Sequence, residues 1–160
     1  GVDREEKVSK LLDQLPDDIE ILGFKYNMND ITATLGIAAM DNFDVPFNRR
    51  QEIGKRYRAE LGDLKRTKLI QLAPYQTPNY QIFPVHVEDR KAFAEHMTER
   101  GIQVNVNNRR NDRYSVFGGL RDLPNVARAD EDMILLPIHF DLTDDHVGRI
   151  IQGVREYDGK

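Results

Sequence analysis

Two groups of side chains in this 160-residue chain have types and spacings that could bind or transform a small molecule. The first is Asn107-Asn108-Arg109-Arg110-Asn111-Asp112-Arg113-Tyr114, with three arginines beside an aromatic ring. Guanidinium forks pair bidentately with phosphate oxygens and an aromatic ring stacks on a base, so the pattern suits a diphosphate with a base attached. A solvated polar loop has the same composition. The second group is His139, Asp141, Asp144, Asp145 and His146, all metal-ligand types. They lack the His-x-x-x-His spacing by which a helix presents two ligands, and N-capping of a following helix accounts for the acids. No metal site is expected. Gly118-Gly119 is a lone turn signal rather than a phosphate loop. Gly-x-Ser-x-Gly, Walker and zinc-deaminase patterns are absent from the sequence.

Composition narrows the classes further. Hydrophobic residues make up 39% and charged residues 31%, as in an ordinary globular chain, and the net charge is −4. That balance argues against a nucleic-acid or acidic-membrane partner. No cysteine is present, which excludes disulfides and thiolate metal sites. No apolar run approaches the ~20 residues of a membrane span. Gly1-Val2-Asp3-Arg4 is charged, unlike a signal peptide. A cytoplasmic protein is the expectation.

The elements that must position these residues follow from periodicity and capping. Val8, Leu11 and Leu12 predict a short helix over 3–14, stopped before Pro16. Asn29 caps a second helix with Ile31, Leu35, Ala38 and Ala39 on one face and Ala33, Gly36 and Met40 on another. A helix apolar on so much of its circumference wants cover on more than one side, and a face left uncovered would drive association. A third helix runs from Asp44 and Pro46, through Ile53, Tyr57 and Leu61, to Gly62; its arginines and lysines read as a solvated face. Alternation predicts a strand over Tyr80–Val87, with Pro84 pushing it toward an edge or a bulge. Asp89 caps a helix that Gly101 stops, and Ile102, Val104 and Val106 predict a half-buried strand. One helical turn over 126–130 and a short apolar strand over Met133–Leu136 come next. Thr143 caps the last helix, in which Val147, Ile150, Ile151 and Val154 recur at i, i+3, i+4, i+7. The fold class expected is α/β of the α+β kind. A helical segment, residues 1–62, precedes a small domain, residues 63–160, with a few-stranded, mainly antiparallel sheet covered by helices.

Gly23-Phe24-Lys25-Tyr26-Asn27-Met28-Asn29-Asp30, opening an Ala-rich helix, resembles the signature of the DegT/DnrJ/StrS family of sugar aminotransferases. Gly1-Val2-Asp3-Arg4, Arg49-Arg50 with Tyr57-Arg58, Gly101-Ile102-Gln103-Val104, Arg110-Asn111-Asp112 and Leu136-Pro137-Ile138-His139 with Leu142-Thr143 resemble further family motifs in the right order. The resemblance implies the carboxy-terminal part of a fold type I enzyme: the end of a large domain, roughly residues 1–45, a linking helix and the small domain. Such enzymes use pyridoxal phosphate on a lysine to move an amino group, usually from glutamate, to a keto nucleotide-sugar, in making deoxyamino sugars and cell-surface polysaccharide. In the family that lysine stands three residues after a histidine, and no lysine of this chain does. The resemblance therefore implies no catalytic residue here and no activity for this chain alone.

It implies binding roles instead. Active sites of the family are built across a dimer, and Lys25 or Asn27 would reach the partner's cofactor phosphate. Lys25 suits a phosphate as a point charge with N–H donors. Arg110 and Asn111 would meet the nucleotide-sugar. Tyr80 falls where some members carry a substrate-contacting Tyr-His pair, and Gln81 departs from the histidine. The partner would be a second copy or a complementary amino-terminal fragment. A reading from a different class is a stand-alone α+β module that holds an anionic ligand on the arginine loop.

Overall fold

The computed structural model describes residues 18–24, 28–106 and 109–159, so the helix expected over 3–14 lies outside the described residues. The order of elements is α1 (Asp30–Asp41), α2 (Asp44–Leu61), β1 (Thr67–Leu69), β2 (Phe83–Val87), α3 (Arg90–Glu99), two 3-10 turns (Asn111–Arg113 and Ser115–Phe117), α4 (Pro124–Asp132), β3 (Met133–Leu136) and α5 (Asp144–Asp158). The three strands form one antiparallel sheet in the order β1-β2-β3. No helix among the described residues is long and apolar enough to cross a membrane.

Capping by the expected residues sets most helix starts. Asn29 accepts from Thr32 N at 2.9 Å, and Asp89 accepts from Ala92 N at 2.9 Å. Thr143 and His146 form a reciprocal capping box on α5. Gly101, at φ +70°, ends α3 in a left-handed turn that glycine adopts without a Cβ clash. Gly101 N donates to Thr98 O at 2.9 Å and Ile102 N to Met97 O at 3.0 Å, which satisfies two carbonyls at the helix end. That turn also explains a departure from expectation. Residues 102–106 do not form a strand: Ile102 N is spent on the helix end, and only Asn105 bridges β3, exchanging two hydrogen bonds with Leu135. Ile102 and Val104 are buried all the same.

The core lies on one face of β2. Phe83, Val85 and Val87 point into it and meet Ile53, Tyr57 and Leu61 of α2 and Val147, Ile150, Ile151 and Val154 of α5. Tyr57 packs edge-on against Phe83 at 5.0 Å, and its hydroxyl donates to the Pro137 carbonyl at 2.8 Å. Phe93 of α3 meets Tyr157 of α5 in the same way at 5.0 Å. The alternate residue His86 turns to the other face, where its Nδ1 pairs with Asp132 of α4. Although β2 is the middle strand, β1 pairs with it only over Val85–Val87. Pro84 therefore lies past the end of that ladder, where β2 is locally an edge and a missing N–H is tolerated.

The first two helices use their faces differently. No residue of α1 is buried; Ile31, Leu35, Ile37 and Met40 are each about two-thirds exposed or more. Ala33 is partly covered, and the other apolar residues of α1 are exposed. The arginines of α2 are also more than a solvated face. Arg49 donates to Leu142 O at 2.7 Å and to Asp144 Oδ1 at 2.8 Å, and Arg58 donates to Ile70 O at 3.0 Å. Both are half-buried and tie loops to the helix. β1, which no periodicity marks, is held from the far end of the chain: Asp158 accepts from Lys65 N, Arg66 N and Thr67 N at 2.7–3.0 Å. Burial alone would raise the Asp158 pKa, but the three N–H bonds outweigh that and hold it below the usual carboxylate value.

Candidate functional site

The arginine loop is a tightly tied structure. Arg110 grips Asp112 with a bidentate fork, Nε to Oδ1 and Nη2 to Oδ2, both at 2.6 Å. Nη2 also reaches the Arg121 carbonyl at 2.8 Å, and Arg121 N donates to Asp112 Oδ2 at 2.9 Å. Asp112 is 8% exposed. The Arg110 guanidinium, and then the Arg121 N–H, hold its carboxyl well below the usual carboxylate range. From α4, Asp130 accepts the Arg110 backbone N–H at 3.0 Å and faces the Arg113 guanidinium at 3.5 Å. The sequence alone gives Asp112 and Asp130 no sign of these roles, because both partnerships depend on how the loop doubles back.

The loop is also tied to a segment almost a hundred residues earlier. Ser115 N donates to Asp18 Oδ1 at 2.7 Å, and Val116 N donates to Ile19 O at 3.1 Å. The same Asp18 oxygen accepts Ile19 N at 2.8 Å. The Ser115 N–H is the main reason the Asp18 carboxyl sits below its ordinary pKa.

The candidate residues fall in separate places. Lys25 and Asn27 lie outside the described residues, as do Asn107 and Asn108 of the loop. Arg110 and Asn111 come together in the loop; Asn111 is exposed, and the Arg110 Nη1 group is the part of its fork not engaged by Asp112 or Arg121. Tyr80 is not with them. It is 5% exposed, stacks on Phe83 at 5.9 Å, and its hydroxyl accepts from Arg58 Nε at 3.0 Å. Its backbone has φ +50°, and its ring lies on Gly54, where an added Cβ would stand 2.7 Å from three ring atoms. Gln81 is exposed beside it.

A cleft of ≈540 Å³ opens where the segment after β3 meets the start of α5. Gln103, Asn105, His139, Asp141, His146 and Arg149 supply its polar lining, over a floor that includes Ile102 and Leu142. The histidines and the acid that resemble metal ligands thus share a cleft, but no group of three or more His, Asp or Glu side chains converges among the described residues. His146 Nδ1 accepts from Thr143 N, and Asp144 is engaged by Arg49.

A covalently held carbonyl cofactor requires an amine enclosed in a pocket. Among the described residues the Lys68 amine donates to the Leu64 carbonyl at 2.9 Å, the Lys91 amine faces Glu95 at 3.8 Å, and Lys55 and Lys65 are exposed. The described residues therefore do not by themselves fit pyridoxal phosphate.

The chain is 27% identical over 145 residues to the uncharacterized protein MJ1066 of Methanocaldococcus jannaschii, covering 84% of this chain and 38% of that protein. The crystal structure of the sugar aminotransferase CalS13 from Micromonospora echinospora is 25% identical, with a TM-score of 0.76 over 84% of this chain and 37% of that one. Spr1654 from Streptococcus pneumoniae, in its PLP-form, has the same fold at 24% identity, with a TM-score of 0.74 over 89% of this chain and 38% of that one. The chain thus spans well under half the length of these relatives and corresponds to the carboxy-terminal portion of such enzymes. Residues 1–155 match the model of the DegT/DnrJ/EryC1/StrS aminotransferase family, and the chain belongs to that family.

Proposed function

We propose that this chain is the carboxy-terminal, site-completing portion of a pyridoxal-phosphate-dependent aminotransferase that delivers an amino group from glutamate to a keto nucleotide-sugar, for amino-sugar and cell-surface polysaccharide synthesis. The observation that carries this reading is the family match over residues 1–155. The likeness to the sugar aminotransferase CalS13 supports the sugar as acceptor, and Spr1654 in its PLP-form supports the cofactor. When bound, pyridoxal phosphate supplies the electron sink that such a transfer needs. The contribution of this chain is to bind and orient. Lys25 or Asn27 meets the cofactor phosphate in a partner subunit. Arg110, through Nη1, and Asn111 meet the diphosphate of the nucleotide-sugar. Tyr80, buried against Phe83 and Arg58, takes no part in that contact.

Assay of the full-length protein with glutamate and nucleotide-linked keto sugars, following 2-oxoglutarate release, tests this reading. Turnover is expected from the full-length protein and none from residues 1–160 alone, which lack the required lysine. Turnover by residues 1–160 alone, or none by the full-length protein with any keto sugar nucleotide, would overturn it. The stand-alone anion-binding module has less support, because the family match runs over residues 1–155 rather than over the small domain alone.

A further inference from the structure

The second 3-10 turn, Ser115–Phe117, has no side-chain cap of its own: Tyr114 precedes it and makes no capping hydrogen bond. Its leading N–H groups still need acceptors, as at any helix start. They find them on another segment, 97 residues away in sequence, where one oxygen of Asp18 takes Ser115 N and the Ile19 carbonyl takes Val116 N. The Ser115 hydroxyl adds a longer contact to the Ile19 carbonyl, 3.4 Å. At the other end of the loop, Asp130 takes the Arg110 N–H. The stretch from Arg110 to Val116 is therefore clamped at both ends, with Asn111 exposed between the clamps. One clamp belongs to α4 and the other to the chain that runs toward α1.

We propose that Asp18 is a positioning residue for the substrate loop: it caps the Ser115 turn across the fold and so fixes the loop that presents Arg110 and Asn111. This rests on the proposed function, in which that loop meets the nucleotide-sugar. Asp18 touches no substrate. It acts by removing the freedom the loop would otherwise lose on binding, so its loss raises KM for the sugar and leaves the amino-donor half of the reaction alone.

The test uses the full-length protein with Asp18→Ala and Asp18→Asn. In D18A, amide hydrogen exchange at Ser115 and Val116 is expected to quicken about tenfold, the scale of one lost charge-assisted hydrogen bond. KM for the keto sugar nucleotide is expected to rise by a similar factor, with kcat and the glutamate half-reaction within about twofold of wild type. In D18N the amide oxygen can accept the same N–H groups, and most of the protection and the KM should return. Unchanged exchange at Ser115 and Val116 in D18A would overturn the proposal, as would faster exchange with an unchanged KM. A wild-type protein that turns over no keto sugar would defeat the proposed function instead, and the exchange data would still decide whether Asp18 holds the loop.

Discussion

Gly54 and Tyr80 occupy a space with room for one side chain. Gly54 lies on the buried side of α2 between Ile53 and Tyr57, and the ring of Tyr80 fills the volume a Cβ would take, 2.7 Å from three ring atoms. Tyr80 is held there by Phe83 and by Arg58 Nε, on a backbone of φ +50°. The ring cannot swing freely, so Gly54→Ala must displace either the helix or the ring. Overpacking of this kind costs about 1–3 kcal/mol. Urea unfolding of G54A is expected to show that loss with an unchanged m-value; a midpoint equal to wild type would mean that the ring moves aside at no cost. The candidate site was only partly legible at this scale. Arg110 stands out in sequence because of its neighbours. Its partners Asp112, Asp130 and Arg121, and the clamp from Asp18, could not be read, because hydrogen bonds between segments leave no periodic trace.

At the scale of elements, the helices were legible and the sheet was less so. Asn29, Asp89 and Thr143 announce their helices because a cap is a local bond between residues three apart. Val147, Ile150, Ile151 and Val154 announce the buried face of α5, since the core selects residues at helical spacing. β1 is only Thr67–Leu69, too short for an alternation to show; Asp158 takes the N–H of its first residue, and β2 pairs with all three. The supposed strand at 102–106 alternates convincingly because Ile102 and Val104 are buried, yet burial alone does not make a ladder. α1 is the element whose pattern and surroundings disagree most. It has the apolar residues of a buried helix and buries none of them. A patch this rich in exposed Ile, Leu and Met drives association in water. Residues 1–160 are expected to self-associate or to co-purify with a complementary amino-terminal fragment. Ile31→Glu with Leu35→Glu should yield a monomer in sedimentation velocity, with a thermal midpoint close to that of the parent, since neither side chain is buried. A parent chain that sediments as a monomer at all concentrations would refute this.

For the whole molecule, carboxylates with depressed pKa values recur at the joints between segments. Asp112 is held down by Arg110, Asp144 by Arg49, Asp63 by Arg155 and Glu156 by Arg100. In each case the folded pKa lies below the unfolded one, so the unfolded chain binds more protons as the pH falls. The stability these pairs contribute is fully present above the unfolded value, about pH 4, and is lost as pH drops through the folded values. A thermal melt series should therefore be flat from about pH 7 to 5 and fall steeply below about pH 4. A midpoint at pH 3 equal to that at pH 7 would show that these pairs contribute nothing. The order of the elements has a consequence of a different kind, in time rather than in energy. The inner face of β2, with Phe83, Val85 and Val87, shares its core with α2, which precedes it, and with α3 and α5, which follow. On a ribosome adding about 5–20 residues per second, the stretch from Val87 to Asp144 takes roughly 3–11 s to make. Throughout that interval the strand lacks the cover that α5 gives it in the folded chain. The vulnerable moment for this protein thus falls during synthesis, before α5 exists, when nascent chains on neighbouring ribosomes can meet through that strand.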